Sequence, residues 1–201
     1  MKKEEKTRLT KEKILKAAIE EFGRNGYSGG SLNAVCASGI NKGLIYHNFK
    51  DKDDLYLACV KKSLDDMAEG IEEEMKDPSV SYPAARARFF ESHDMEARIF
   101  LEAVVNPPEK LEDEIEELRK PVDEINRREF DRILSRHTLR KNISRETAYR
   151  WMRSMQNAYN MLFRQEDSGD GDFAKHLERH EKGAAEFVDL MLFGIAEQEE
   201  K

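Results

Sequence analysis

From Ala148 to Phe163 the apolar residues recur at helical intervals: Ala148, Trp151, Met152, Met155, Ala158, Tyr159, Leu162 and Phe163 follow an i, i+3, i+4, i+7 pattern. That spacing stacks side chains along one helix face, whereas a half-buried strand needs strict alternation. The same period runs through Phe173, Leu177, Ala184, Phe187, Val188, Met191 and Ile195. No stretch alternates in the manner of a strand, and no internal repeat interrupts the pattern. The chain is expected to be all-α.

Local signals divide it into elements. Thr10 reads as the N-cap of a helix over about 10–25, with Ile14, Leu15, Ala18, Ile19 and Phe22 on its apolar face and Gly26 as its stop. Ser31 caps a short helix that points Leu32, Val35 and Cys36 inward. Gly39-Ile40-Asn41 makes a tight turn into a second short helix over 42–49, which points Ile45 and Phe49 into the core. Asp51 opens a long helix with Asp54 three positions on, a variant of the capping pair. DPSVSYP (77–83) ends that helix. A helix over 84–105 is expected to bend near His93-Asp94 and to stop before Pro107-Pro108, and Pro121 is expected to kink or split the segment 109–139. Ser144 caps the first of two closing helices, and DSGDGD (167–172) connects them.

Charge is unevenly placed. Residues 1–62 hold 13 basic and 8 acidic residues, a net of +5, while residues 63–201 hold 21 and 33, a net of −12. A basic head on an acidic body suits a head that meets a polyanion. No apolar run approaches the length of a membrane span. The N-terminal MKKEEKTRLTKEK has no apolar core of the kind a secretory signal carries. Cys36 and Cys59 sit singly inside helical patterns, which fits a reducing, cytoplasmic setting and no disulfide framework. No nucleophile elbow, H-E-x-x-H, phosphate loop or paired-cysteine motif is present, so neither an enzyme nor a cofactor is indicated.

Two short helices joined by a glycine-containing turn form a helix-turn-helix pattern, whose second short helix lies in the major groove of DNA. Here that helix belongs to NKGLIYHNFKDKDDLY (41–56), which places Lys42 and Tyr46 on one face with His47 and Asn48 beside it. Lys50 and Lys52 flank the start of the next helix, where backbone N–H groups already favour an anion.

Phe22, Gly26-Tyr27, Ser31, the run Gly39 to Phe49, and Lys52 with Leu55 resemble the DNA-binding head of TetR-type bacterial regulators. The resemblance covers residues 10–56, and beyond them only length and helical layout agree. It implies a helix-turn-helix DNA-binding domain over 1–51 and a helical effector-binding and dimerisation domain over 52–201. It also implies a ligand-responsive repressor that binds a palindromic operator as a homodimer and is released by a small-molecule effector. By position, Ser31, Lys42, Tyr46 and Lys52 are expected to touch phosphate, joined by Lys50. Leu44, His47, Asn41 and Gly43 lie where base edges are approached, and Asn48 is a further DNA-binding candidate beside them. One departure stands out: counted from Gly39, the second helix is one residue short.

In the body, Phe89, Phe90, Phe100, Trp151, Met155 and Tyr159 are bulky enough to line an effector cavity, although each also suits plain core packing. Arg86, Arg88, Arg98 and Arg153 can pair with an anionic effector or simply lie on the surface. The resemblance implies a dimer interface on the last two helices, for which Met152, Tyr159, Phe163, Phe187, Met191 and Ile195 are the candidates. His176 and His180 have the spacing of a two-His metal pair but lack a third ligand, and read as a surface pair. The alternatives are a redox- or metal-responsive regulator, or a sequence-tolerant DNA binder without an effector.

Overall fold

The computed structural model describes residues 3–166 and 173–195. The loop 167–172 lies outside the described residues, as do the side chains of Leu162, Phe163, Phe173, His176, Leu177 and Ile195. The described residues form α1 (Lys3–Gly29), α2 (Leu32–Ala37), α3 (Lys42–Asn48), α4 (Lys52–Glu74), α5 (Tyr82–Ser92), α6 (Asp94–Val105), α7 (Glu112–Leu134), α8 (Arg145–Glu166) and α9 (Phe173–Ile195). A 3-10 turn, Glu109–Leu111, precedes α7, and no strand occurs among the described residues.

Caps set several of these boundaries. Ser31 Oγ accepts the Ala34 N–H at 3.1 Å, and Ser144 Oγ accepts the Thr147 N–H at 3.0 Å. At the start of α4 the Asp54 N–H donates to Asp51 Oδ1 at 2.9 Å, while Asp54 Oδ2 accepts the Lys50 N–H at 2.9 Å. This reciprocal pair satisfies two N–H groups that a helix start otherwise leaves open.

Three expectations change. The segment 84–105 is two helices, broken at His93, whose backbone leaves the helical region at φ −135, ψ 57. Pro121 does not split α7, because it sits on the exposed side, where the carbonyl one turn back reaches water. Helix α1 starts at Lys3 rather than near Thr10, which lies inside it. Gly26 does break the helix as expected, taking φ 65, ψ 178, and helical turns resume beyond it to Gly29. Such a φ suits glycine, and a Cβ there would also lie 2.9 Å from Glu102 Oε1.

The chain divides into two compact units. The first comprises residues 1–66 and 93–120, and the second 67–92 and 121–201. The head recruits α6 because that helix packs along α1. Ile14, Ala18 and Phe22 of α1, Leu55 and Tyr56 of α4, and Ile99 and Ala103 of α6 are all buried in the first unit. The Tyr56 ring meets Phe22 edge-on at 5.2 Å and Tyr27 at 4.9 Å. Each such aromatic pair contributes about 0.5–1.5 kcal/mol beyond its area.

In the second unit α9 packs on α5 and α8. Phe130, Leu134, Ala148, Met152 and Met191 form its buried cluster, with Met155, Tyr149 and Phe187 packed against it.

Candidate nucleic-acid interface and ligand cavity

Helix α3 is anchored from below. Ile45 is fully buried and Phe49 nearly so, which leaves the opposite side of the seven-residue helix facing solvent. Lys42, Gly43, Leu44, Tyr46 and His47 are all exposed there, Leu44 and Tyr46 at 45% and 51% despite their size. Large side chains left in water on a short, well-anchored helix suit a surface that another molecule covers.

Several predicted residues have local work as well. Asn41 is the N-cap of α3, its Oδ1 accepting the Gly43 N–H at 2.8 Å. Asn48 turns back, its Nδ2 donating to the Leu44 carbonyl at 2.8 Å. Lys42 Nζ donates to Asn33 Oδ1 at 3.2 Å and lies 6.0 Å from the Tyr46 ring. Ser31 is held from both sides, since its N–H donates to Glu21 Oε1 at 3.1 Å while its Oγ caps α2. The short α2 is joined to α3 by Ser38 to Asn41, with Gly39 in the left-handed region at φ 87 and its N–H donating to the Cys36 carbonyl at 3.0 Å.

Beside this face lies a charged cluster that sequence reasoning missed. Lys52 Nζ sits 4.6 Å from the Tyr27 ring centre, and Lys110 Nζ, from the 3-10 turn, sits 5.5 Å from the same ring. The Tyr27 hydroxyl donates to Asp53 Oδ1 at 2.5 Å, and Lys110 donates to Asp53 Oδ2 at 2.6 Å. The Lys110 and Tyr27 hydrogen bonds hold the Asp53 carboxyl below its ordinary range. Burial, with Asp53 beside it, pushes the Tyr27 hydroxyl up. Nothing in local spacing could have joined Lys110 to Tyr27, which are far apart in the chain. Lys52 is therefore a cation stacked on a ring rather than a freely swinging one.

The second unit carries a partly open cavity of about 90 Å³ between α5, α7, α8 and α9. Its polar wall is Tyr82, Arg86, Asn126, Glu129 and Gln156, and its apolar wall includes Phe130, Ile133, Met152, Tyr159, Phe187 and Met191. Of the sequence candidates for a ligand site, Tyr159 lines it. Phe89 and Phe90 are core residues of the second unit, and Phe100 is buried in the first unit. Met155 packs half-buried against the core cluster, and Trp151 is 59% exposed.

Of the dimer candidates, Met152 and Met191 are buried, and Tyr159 and Phe187 stack on one another at 5.6 Å beside the cavity. Phe163 and Ile195 lie outside the described side chains. Among the described residues, the large apolar side chains of α8 and α9 that face water are Trp151, Met161, Leu190 and Phe193. An amphipathic stripe identifies an apolar face, and here the most regular one is spent on the unit's own core.

Arg88, Arg98 and Arg153 pair with Glu74, Asp94 and Asp123 at 2.6, 3.3 and 3.1 Å, and buried Arg86 donates to the Tyr82 hydroxyl at 3.3 Å. His180 is buried against the Tyr159 ring at 5.2 Å rather than on the surface, and His176 lies outside the described side chains. Burial pushes the Cys59 thiol well above its ordinary value. Among the described residues no helix is long and apolar enough to cross a membrane.

The described residues are all-α, with a helix-turn-helix near the N-terminus and a cavity in the second unit. Residues 14–59 match the family model described as bacterial regulatory proteins, tetR family. It is 34% identical over 65 residues to the HTH-type transcriptional repressor AcnR of Corynebacterium glutamicum, a match spanning 32% of this chain and 35% of AcnR. Structural likeness extends over nearly the whole chain. The transcriptional regulator FadR from Bacillus subtilis, solved in complex with stearoyl-CoA, superposes with a TM-score of 0.66 at 17% identity, covering 91% of this chain and 98% of FadR. SmeT, the repressor of the Stenotrophomonas maltophilia multidrug efflux pump SmeDEF, gives 0.63 at 18% identity, covering 96% and 93%.

Proposed function

We propose that this chain represses transcription by binding a palindromic operator as a homodimer, and that a small molecule in the cavity of the second unit releases it. The observation that carries this reading is the exposed face of α3, where Lys42, Tyr46 and His47 stand on a helix pinned by buried Ile45 and Phe49. Lys42, Tyr46, Lys50, Lys52 and Ser31 bind phosphate in this reading. His47, Leu44 and Gly43 approach base edges, with the free polar ends of Asn41 and Asn48 beside them. Two copies of α3 then sit about 34–36 Å apart to meet successive major grooves.

The homodimer forms through the water-facing residues Trp151, Met161, Leu190 and Phe193 of α8 and α9. Effector and DNA oppose one another reciprocally, because each favours a different arrangement of the same chain. Helix α4, whose residues contribute to both units, is the element that carries the change. The raised thiol of buried Cys59 speaks against a redox role for that residue, since the thiolate is the reactive form.

Selection of bound sequences from random duplexes tests the reading. A palindrome with half-sites one helical turn apart, or a multiple of it, is expected. Enrichment of no sequence, with binding that merely weakens in salt, would identify a sequence-tolerant binder instead.

A further inference from the structure

We infer that Lys110, from the turn between α6 and α7, keeps the start of α4 attractive to phosphate by cancelling the charge of Asp53. It is a positioning residue for nucleic acid that lies outside the helix-turn-helix. The inference rests on reading Lys52 as a phosphate contact.

Three carboxylates crowd the start of α4, at Asp51, Asp53 and Asp54. They suit the helix dipole, but they stand at the end of the helix that a phosphate approaches. Asp51 and Asp54 are used locally, accepting the N–H groups of Asp54 and Lys50 at 2.9 Å each. Asp53 follows Lys52 directly, and Lys52 helps to keep its carboxyl ionised.

Two groups cover that carboxylate. The Tyr27 hydroxyl donates to one oxygen at 2.5 Å, and Lys110 Nζ donates to the other at 2.6 Å. Tyr27 brings a hydrogen bond without a charge, whereas Lys110 brings both. Lys52 and Lys110 also stand at 4.6 and 5.5 Å from the centre of the Tyr27 ring. Their ammonium groups are therefore no more than about 10 Å apart, within a Debye length at 0.1 M salt.

Lys52, Asp53 and Lys110 together carry one net positive charge. Removing Lys110 brings that to zero, and a phosphate that meets Lys52 then also meets an uncancelled carboxylate one residue on. Removing Asp53 as well restores the single positive charge. A lysine that touches phosphate directly is not replaced in this way. The Lys110 side chain is 60% exposed, so truncating it opens no hole in the core.

Binding of the full chain to a fluorescent mixed-sequence duplex of about 30 base pairs, followed from about 20 to 200 mM salt, tests this. Lys110→Ala is expected to flatten the logarithmic salt slope by about one unit and to weaken binding about tenfold at the dilute end. Asp53→Asn combined with Lys110→Ala is expected to return slope and affinity to the parent values. Lys110→Gln, which keeps a donor toward Asp53 and loses only the charge, is expected to match Lys110→Ala. It serves alone if the alanine variant does not fold.

A parent slope in the Lys110 variants overturns the proposal. So does a double variant that binds as weakly as Lys110→Ala, because the lysine then acts by its own contact or through the fold. Lys52→Ala, measured beside them, tests the reading beneath. A parent slope there takes Lys52 off the phosphates, while rescue of Lys110→Ala by Asp53→Asn still shows a carboxylate cancelled where DNA passes.

Discussion

Both carboxylate oxygens of Glu102 accept the backbone N–H of Tyr27, each at 2.9 Å. The bond repairs the break at Gly26, where the non-helical backbone leaves the next N–H without its partner in the helix. Glu102 Oε2 also accepts from the Tyr56 hydroxyl at 2.8 Å. One carboxylate of α6 therefore ties the end of α1 to α4, within the unit that carries α2 and α3.

Glu102→Gln keeps the shape but offers one acceptor oxygen where two donors now point. Leaving a part-buried donor unsatisfied costs about 1–3 kcal/mol. A melting temperature unchanged from the parent would show that the bond contributes nothing. A cycle with Tyr56→Phe is expected to be non-additive by about 0.5–3 kcal/mol, because the two changes share one carboxylate.

Asp53 gives a pH signature. Lys110 and Tyr27 hold its carboxyl below the ordinary value near 3.8. A depressed folded value means the unfolded chain takes up the proton first. Stability from this group is thus fully present above the ordinary value and is lost as pH falls through the folded one. Asp53→Asn is expected to be less stable than the parent at neutral pH, with the gap closing below about pH 4. A gap that stays constant through an acid series of denaturant melts would contradict the assignment.

The helical class, the caps at Ser31, Ser144 and Asp51 with Asp54, and the anchors Ile45 and Phe49 were legible because each depends on residues within one or two turns. The break at Gly26 was legible too, but the acceptor of the Tyr27 N–H beyond it was not, since Glu102 lies on α6 far along the chain. Lys110 beside Tyr27 was hidden for the same reason. Periodicity found the apolar faces of α8 and α9 but could not say what covers each. Met152 and Met191 turned out to face the unit's own core, while Leu190, next to Met191, faces water.

Lys52 stands 4.6 Å from the Tyr27 ring at the start of α4, where N–H groups favour an anion. Lys52→Ala is expected to weaken binding to every DNA sequence alike and to flatten the logarithmic salt dependence by about one unit. A salt series with the parent slope would remove Lys52 from the phosphate contacts.

His47 is exposed on α3 beside Tyr46, without a buried partner to hold it in the fold. His47→Ala is expected to change operator preference more than overall affinity, as a base-edge contact does. Equal loss across all sequences in a repeated selection would place it on the backbone instead.

Leu190 and Met191 separate interface from core. Leu190 is 70% exposed and Met191 only 6%. In an isolated subunit Leu190→Glu is a surface change, expected to stay within about 0.5 kcal/mol. In a dimer closed through this face it buries an unpaired charge and drives the subunits apart. Met191→Ala opens a hole in the core and is expected to cost about 2–5 kcal/mol whatever the oligomeric state. Sedimentation of Leu190→Glu should therefore show monomers with a far-ultraviolet spectrum like the parent's, and Met191→Ala should melt early. A Leu190→Glu protein that sediments as the parent does would put the interface elsewhere.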